Sequence, residues 1–208
     1  LSAAREVSLS KPIIVIKAGR TDEAAKAASS HTGALAGSDE VYDAAFRRAG
    51  VLRVGELDEL FDAAETLAMG VQIHGDRLAI LTNGGGIGVL ATDTLIQSGG
   101  RLAAIDAEVM ARLDSVLPPT WSRGNPVDII GDAPGQRYAD ALGALLDDRS
   151  NDAILVLNCP TAVADSVEAA RACIDVLKGR RHPVLTSWLG EARAAEAAAP
   201  RWTYKAGE

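Results

Sequence analysis

The sequence predicts an α/β protein made of two doubly wound, parallel-sheet lobes, and three observations predict it. Short apolar runs recur along the 208 residues with amphipathic stretches between them, the alternation expected of parallel strands joined by crossover helices. Two strand, glycine-turn, helix openings look alike: Lys11-Pro-Ile-Ile-Val-Ile-Lys-Ala-Gly-Arg20 and Asp76-Arg-Leu-Ala-Ile-Leu-Thr-Asn-Gly-Gly85. Aromatics make up only 4% of a chain that is 48% hydrophobic, so its core must be built from Val, Ile, Leu and Ala at close helix–sheet distance.

The elements follow in order. Leu1 to Val7 reads as the tail of a helix already under way, which predicts a piece of a longer polypeptide. Pro12 to Ile16 is a strand and Val51 to Val54 a short edge strand. Asp39 to Ala49 and Leu57 to Val71 carry apolar residues at three- and four-residue spacing (Val41, Ala44, Ala45; Leu60, Phe61, Ala64, Leu67, Ala68), as amphipathic helices should. Gly50 and Gly70 stand where a C-terminal glycine is expected. The polar link Gln72 to Asp76 divides the chain into an N-terminal lobe, 1–75, and a larger lobe, 76–208. The second lobe has strands at Leu78 to Thr82, Leu102 to Ile105, Val127 to Ile130, Ala153 to Leu157 and Pro183 to Ser187. Its helices fall at Ile87 to Ser98, Asp106 to Val116, Gln136 to Asp147 and Ala164 to Leu177. The Ala-rich stretch Glu191 to Ala199 is a surface helix or a fraying end, and Arg201 to Glu208 fits no pattern.

Composition excludes several functions. Twenty-one Lys and Arg against 28 Asp and Glu leave a net charge of −7, a field that repels a phosphate backbone, so nucleic acid is not an expected partner. No run approaches the roughly 18 consecutive apolar residues of a spanning helix, which predicts no membrane role and a cytoplasmic location. Cys159 and Cys173 lack the spacing of a metal site or a disulfide framework and read as buried small hydrophobes. No metal ligands are expected. His74 and His182 read as exposed loop residues.

Two segments carry the chemistry. In Thr82-Asn83-Gly84-Gly85-Gly86-Ile87-Gly88, glycines let the backbone turn sharply into a helix and leave several N–H groups unobstructed, an anion site by construction. The pattern is not a dinucleotide fingerprint, because Val89 occupies the third glycine position, and it lacks the Lys of a P-loop. The bland alternative is a tight turn whose glycines serve packing alone. In the first lobe, Ser29, Ser30, Thr32 and Ser38 surround His31, with Gly33 and Gly37 between them, just before a helix. This hydroxyl-rich loop could surround an anion without bulk. Ser38 also suits a helix N-cap, a role that leaves His31 unexplained, and an exposed histidine without a duty is its bland reading. Asn125, Pro126 and Asp128 form a candidate substrate pocket or simply a turn. Asn158, Cys159 and Pro160 follow a buried strand, where open α/β sheets bind ligands, and are also pocket candidates.

Four segments in the same order resemble one family: Lys17-Ala-Gly-Arg20, Ser30-His31-Thr-Gly-Ala-Leu-Ala-Gly-Ser-Asp39, Thr82-Asn-Gly-Gly-Gly-Ile-Gly-Val-Leu-Ala-Thr-Asp93 and Asn125-Pro-Val-Asp-Ile129. From Val7 to Gly190 the chain resembles the nucleoside-diphosphate-forming acyl-CoA synthetases, relatives of succinyl-CoA ligase. The resemblance implies that the lobes are two succinyl-CoA-ligase-like flavodoxin domains. It implies phosphorylation of His31, with Ser30, Thr32 and Gly33 around it and the helix start at Asn83, Gly84, Gly85, Gly86, Ile87 and Gly88 holding the phosphate. A neutral imidazole nitrogen is a competent nucleophile toward phosphorus, which agrees with that role.

The implied reaction, acyl-CoA + ADP + phosphate to acid + CoA + ATP, needs a CoA-binding Rossmann domain and an ATP-grasp domain or subunit with Mg²⁺, neither within these residues. The chain by itself is therefore expected to bind none of coenzyme A, ATP, ADP or Mg²⁺ and to be inactive alone. A small carboxylic acid or acyl-CoA is the implied substrate, and a homodimer is one implied assembly. A rival reading keeps the architecture and makes it a ligand-sensing region fused to a GNAT protein lysine acetyltransferase; retention of His31 favours the synthetase. A purely structural dimerisation lobe is the third reading.

Overall fold

A computed structural model describes residues 1–32, 38–190 and 203–204, without the side chains of residues 28–32 and 203–204. The chain separates into two compact units, Leu1–Gly70 and Val71–Glu208.

The first unit runs α1 (Ser2–Ser8), β1 (Ile14–Ile16), α2 (Asp22–Thr32), α3 (Asp39–Arg48), β2 (Leu52–Val54) and α4 (Leu57–Ala68). β1 and β2 pair in parallel, with Ile14 opposite Leu52 and Ile16 opposite Val54. Gly50 (φ 66°) and Gly70 (φ 67°) take the left-handed conformation just past α3 and α4, where a side chain would be strained. Arg53 reaches back from β2 to Asp39 at the start of α3, tying strand to helix.

Two expectations need correction in this unit. The segment read as a loop around His31 is helical in part, because Ser30, His31 and Thr32 belong to the last turn of α2. That helix starts as sequence rules allow: Thr21 Oγ1 accepts the Ala24 N–H at 3.2 Å, and Asp22 and Glu23 occupy the first turn. Its small, hydroxyl-rich end hid it. Ser38 does stand at the N-cap of α3, but its hydroxyl makes no capping bond there. Its carbonyl instead accepts the Tyr42 N–H at 3.3 Å.

The second unit runs β3 (Arg77–Thr82), α5 (Gly85–Gln97), β4 (Arg101–Leu102), α6 (Ala107–Val116), β5 (Val127–Asp128), α7 (Gly135–Leu146), β6 (Ala153–Asn158), α8 (Ser166–Leu177), β7 (Val184–Trp188) and β8 (Thr203–Tyr204). The strands form one parallel sheet in the order β4-β3-β6-β7-β8, with β5 also on β3. Near-continuous apolar runs in β3 and β6 suit strands covered on both faces. Ala79, Leu81, Ile154, Val156, Val184 and Trp188 meet Leu113, Tyr138, Leu142, Leu145, Ala170 and Cys173 in one core, so α6, α7 and α8 share a face. α5 lies on the other face, where Gly88 backs onto Thr82.

One edge of the sheet is split. β4 pairs with Arg77 and Leu78, β5 with Leu81 and Thr82. Between them the Asn125 carboxamide stands in for a strand: its Oδ1 accepts the Ile80 N–H at 2.9 Å, and its Nδ2 donates to Leu78 O at 2.8 Å and Ala103 O at 3.0 Å. This explains why the expected strand over 102–105 stops at Leu102. The expected strand over 127–130 likewise ends at Asp128, since Ile130 (φ 70°) turns the chain away. The end read as patternless supplies β8, parallel to β7. His182 is half-buried rather than exposed, with Nε2 at 2.7 Å from Asn151 Oδ1. Among the described residues no helix is long and apolar enough to cross a membrane.

Candidate functional site

The site forms at the carboxyl ends of β3, β5 and β6, where the strand order reverses direction around β3, the place where open α/β sheets hold ligands. β3 buries Leu81 and Thr82, and the chain then turns at Asn83-Gly84 into α5. Thr82 Oγ1 holds the turn, accepting the Gly84 N–H at 3.0 Å and donating to Gly84 O at 3.1 Å. Asn83 pins the turn to the next strand: its Nδ2 donates to Cys159 O and its Oδ1 accepts the Cys159 N–H, both at 2.8 Å. Both ends of the Asn83 carboxamide are engaged, which makes it a holder of the turn.

The glycines of the turn have different duties. A Cβ on Gly84 would stand 2.8 Å from Cys159 Sγ, and one on Gly88 would stand 3.1 Å from Thr82 Cγ2 and 3.3 Å from Pro126 Cβ. These two permit close packing. A Cβ on Gly86 would meet nothing within 4 Å, and both Gly85 and Gly86 are exposed. The first intrahelical bond runs from Gly88 N–H to Gly84 O at 3.2 Å, and no side chain caps the helix. Among the described residues the N–H groups of Gly85, Gly86 and Ile87 are thus the unpaired donors of the first turn, at the positive end of α5. Such an end offers both hydrogen bonds and field to an anion.

Asp128 forms a wall of this opening. Its Oδ1 accepts the Ile130 N–H at 2.9 Å, and its Oδ2 lies 3.0 Å from where a Cβ on Gly85 would be. Half-burial, and then the Asp128 charge, push the Cys159 thiol above its ordinary value, so Cys159 is a poor nucleophile and a packing group. Asn158 points into the core, where its Nδ2 donates to the Tyr138 hydroxyl at 3.0 Å while that hydroxyl donates to Leu157 O at 3.1 Å. Burial raises the Tyr138 phenol far above its usual value. Pro160 lies 3.3 Å, through its Cγ, from a Cβ position on Gly190.

Of the sequence-predicted residues, Asn83 to Gly88, Pro126, Asp128, Cys159 and Pro160 converge here. Asn125 serves the sheet and Asn158 the core. His31 sits in the last turn of α2, its side chain outside the described atoms, and Gly33 lies outside the described residues. Sequence reasoning missed Gly131, Thr161 and Arg137. Thr161 Oγ1 donates to Gly131 O at 2.8 Å, and Arg137 Nη1 donates to Ile129 O at 3.0 Å and to Asp132 Oδ1 at 2.5 Å. Their only advance signal is position: Gly131 and Thr161 lie in the loops that follow β5 and β6, and Arg137 in the first turn of α7. Among the described residues no three His, Cys, Asp or Glu groups gather as a metal site.

Two parallel-sheet units, one carrying an open glycine helix start, define a doubly wound α/β class. The chain belongs to the Ligase-CoA domain family, which matches residues 78–206, and residues 1–67 match the succinyl-CoA ligase like flavodoxin domain. It is 45% identical to the alpha subunit of ADP-forming acetate–CoA ligase I of Pyrococcus furiosus, over 95% of this chain and 43% of that one. It is 44% identical to ADP-forming acetate–CoA ligase I of Archaeoglobus fulgidus, over 84% of this chain and 25% of that one. The dinucleotide forming acetyl-coenzyme A synthetase 1 of Ca. Korarchaeum cryptofilum, solved with phosphate and ADP, superposes with a TM-score of 0.85 at 38% identity, covering 98% of this chain and 45% of that one. The chain therefore spans less than half the length of these relatives.

Proposed function

We propose that the chain is the central part of an ADP-forming acyl-CoA synthetase, acting in acyl-CoA + ADP + phosphate to acid + CoA + ATP. The observation that carries this reading is the start of α5, where the Gly85, Gly86 and Ile87 N–H groups have no partner among the described residues, in a chain 45% identical to an acetate–CoA ligase subunit. Phosphate displaces CoA from the acyl-CoA, giving an acyl phosphate and free CoA. A neutral imidazole nitrogen of His31 then attacks phosphorus, the bond from phosphorus to the acyl oxygen breaks, and the carboxylate leaves. ADP takes the phosphoryl group from His31, forming ATP and restoring the imidazole.

The α5 start supplies main-chain donors for phosphoryl oxygens and a dipole contribution of about 0.3–1 kcal/mol toward a bound anion. Asp128, Cys159 and Pro160, grouped beside it, are the residues proposed to face the acyl group. Coenzyme A, the nucleotide and Mg²⁺ belong to a CoA-binding Rossmann domain and an ATP-grasp domain or subunit.

Labelled ATP with Mg²⁺, given to the protein together with those domains, should leave an acid-labile, base-stable phosphoryl adduct that His31→Ala abolishes. An adduct formed equally by His31→Ala overturns the assignment of the carrier.

A further inference from the structure

Beside the glycine turn, the backbone does something a β-branched residue avoids. Ile130 has φ 70°, in the left-handed region, where its branched Cβ crowds the backbone; a glycine would sit there without cost. Such a conformation persists only where its surroundings over-determine it, and it concentrates at functional sites. Here the bonds that fix it are visible. Ile129 N–H donates to Thr82 O at 2.8 Å, Ile130 N–H to Asp128 Oδ1 at 2.9 Å, and Ala133 N–H to Ile130 O at 3.1 Å. Thr161 Oγ1 holds Gly131 O at 2.8 Å.

The cationic member of this set is Arg137, in the first turn of α7. Its Nη1 reaches both Ile129 O and Asp132 Oδ1, spanning the left-handed residue from either side, with a side chain only 19% exposed. The loop so held touches the phosphate-binding turn at two points. Asp128 Oδ2 lies against Gly85, and Gly131 lies beside the Asn83 carbonyl, 3.7 Å from its Cβ position.

We propose that Arg137 is a positioning residue: by clamping Ile129 O and Asp132 it keeps Ile130 left-handed, and so holds the loop of residues 128–133 as a wall of the anion site at the start of α5. The proposal rests on the reading of that helix start as a phosphate site. Without the clamp, Ile130 relaxes toward negative φ and carries Gly131 and Asp128 away from the turn. Arg137 touches no reacting atom in this account and acts through the loop alone.

The test compares wild type, Arg137→Ala, Ile130→Gly and the double variant, each with the CoA-binding and ATP-grasp domains present. KM for phosphate, kcat, thermal midpoint and amide exchange at Ala133 are measured in each. Arg137→Ala should raise KM for phosphate by about tenfold, as expected when a binding group is misplaced, and speed exchange at Ala133. Glycine takes a positive φ without the clamp, so the double variant, read against Ile130→Gly, should recover most of the KM lost in Arg137→Ala. A double variant as impaired as Arg137→Ala, or a lowered midpoint with KM and exchange unchanged, overturns the proposal. If wild type forms no ATP from acyl-CoA, ADP and phosphate, the functional reading fails. Exchange at Ala133 then decides alone whether Arg137 holds the loop.

Discussion

Gly84 and Gly86 stand two residues apart in the same glycine run and should answer differently to the same change. Gly84→Ala drives a Cβ to within 2.8 Å of Cys159 Sγ, and both atoms are held by the Asn83–Cys159 bonds, so overpacking should cost about 1–3 kcal/mol in urea unfolding. Adding Cys159→Ala removes the sulfur and should return much of that loss. Gly86→Ala faces open space and gains helix propensity, so it should be neutral or stabilising by up to about 1 kcal/mol. Charge is tested at the same wall. Asp128→Asn can keep an oxygen for the Ile130 N–H while removing the negative charge that helps raise the Cys159 thiol, so alkylation of Cys159 should begin at lower pH in the variant. None of these differences is legible in the sequence, where the glycines look equivalent. The partner that separates them, Cys159, lies 75 residues from Gly84 along the chain and meets it only because β3 and β6 are neighbours.

The elements were legible wherever a hydrophobic period ran long enough to register. α3, α4 and α6 to α8 match their expected spans within two residues at their starts and three at their ends, as do β3 and β6, because each buries a stripe or a run that the sequence displays directly. α2 was not legible, since Ser29, Ser30 and Thr32 favour caps and turns and gave no apolar stripe. β4 and β5 are shorter than their apolar runs predict because a side chain does part of the sheet's work. The Asn125 carboxamide closes the gap between two short strands with three bonds to backbone. Asn125→Ala should therefore be costly for a half-buried polar residue, about 1–3 kcal/mol for each backbone group left buried without a partner. Asn125→Asp should lose the two bonds donated by Nδ2 and retain an acceptor for Ile80. A denaturant midpoint unchanged by either substitution would show that the sheet edge does not depend on this carboxamide.

Across the whole chain, stability should follow pH in two separate windows. Asp39, Asp76, Asp132, Asp147 and Asp152 are all held below the ordinary carboxylate value, first of all by hydrogen bonds from Arg53, Arg101, Arg137, Arg112 and Arg77 respectively. A depressed folded pKa contributes stability above the unfolded value of about 3.9 and loses it as pH falls through the folded one, so this window opens below about pH 4. His182 works nearer neutrality. Asn151 Nδ2 donates to Leu145 O and Asp148 O, both at 3.0 Å, which leaves Asn151 Oδ1 as the acceptor and requires a proton on His182 Nε2. Burial lowers the imidazole pKa, with the Asp152 charge opposing. A histidine held neutral by burial contributes stability above its unfolded value of about 6.5, and that contribution fades as pH drops below it. The thermal midpoint should thus decline slightly as pH falls below about 6.5 and steeply below about pH 4. His182→Gln, which can still donate to Asn151, should flatten the first decline and leave the second, while Asp152→Asn should lower the neutral-pH midpoint and make the acid limb shallower. A first decline that survives in His182→Gln would assign it to another group.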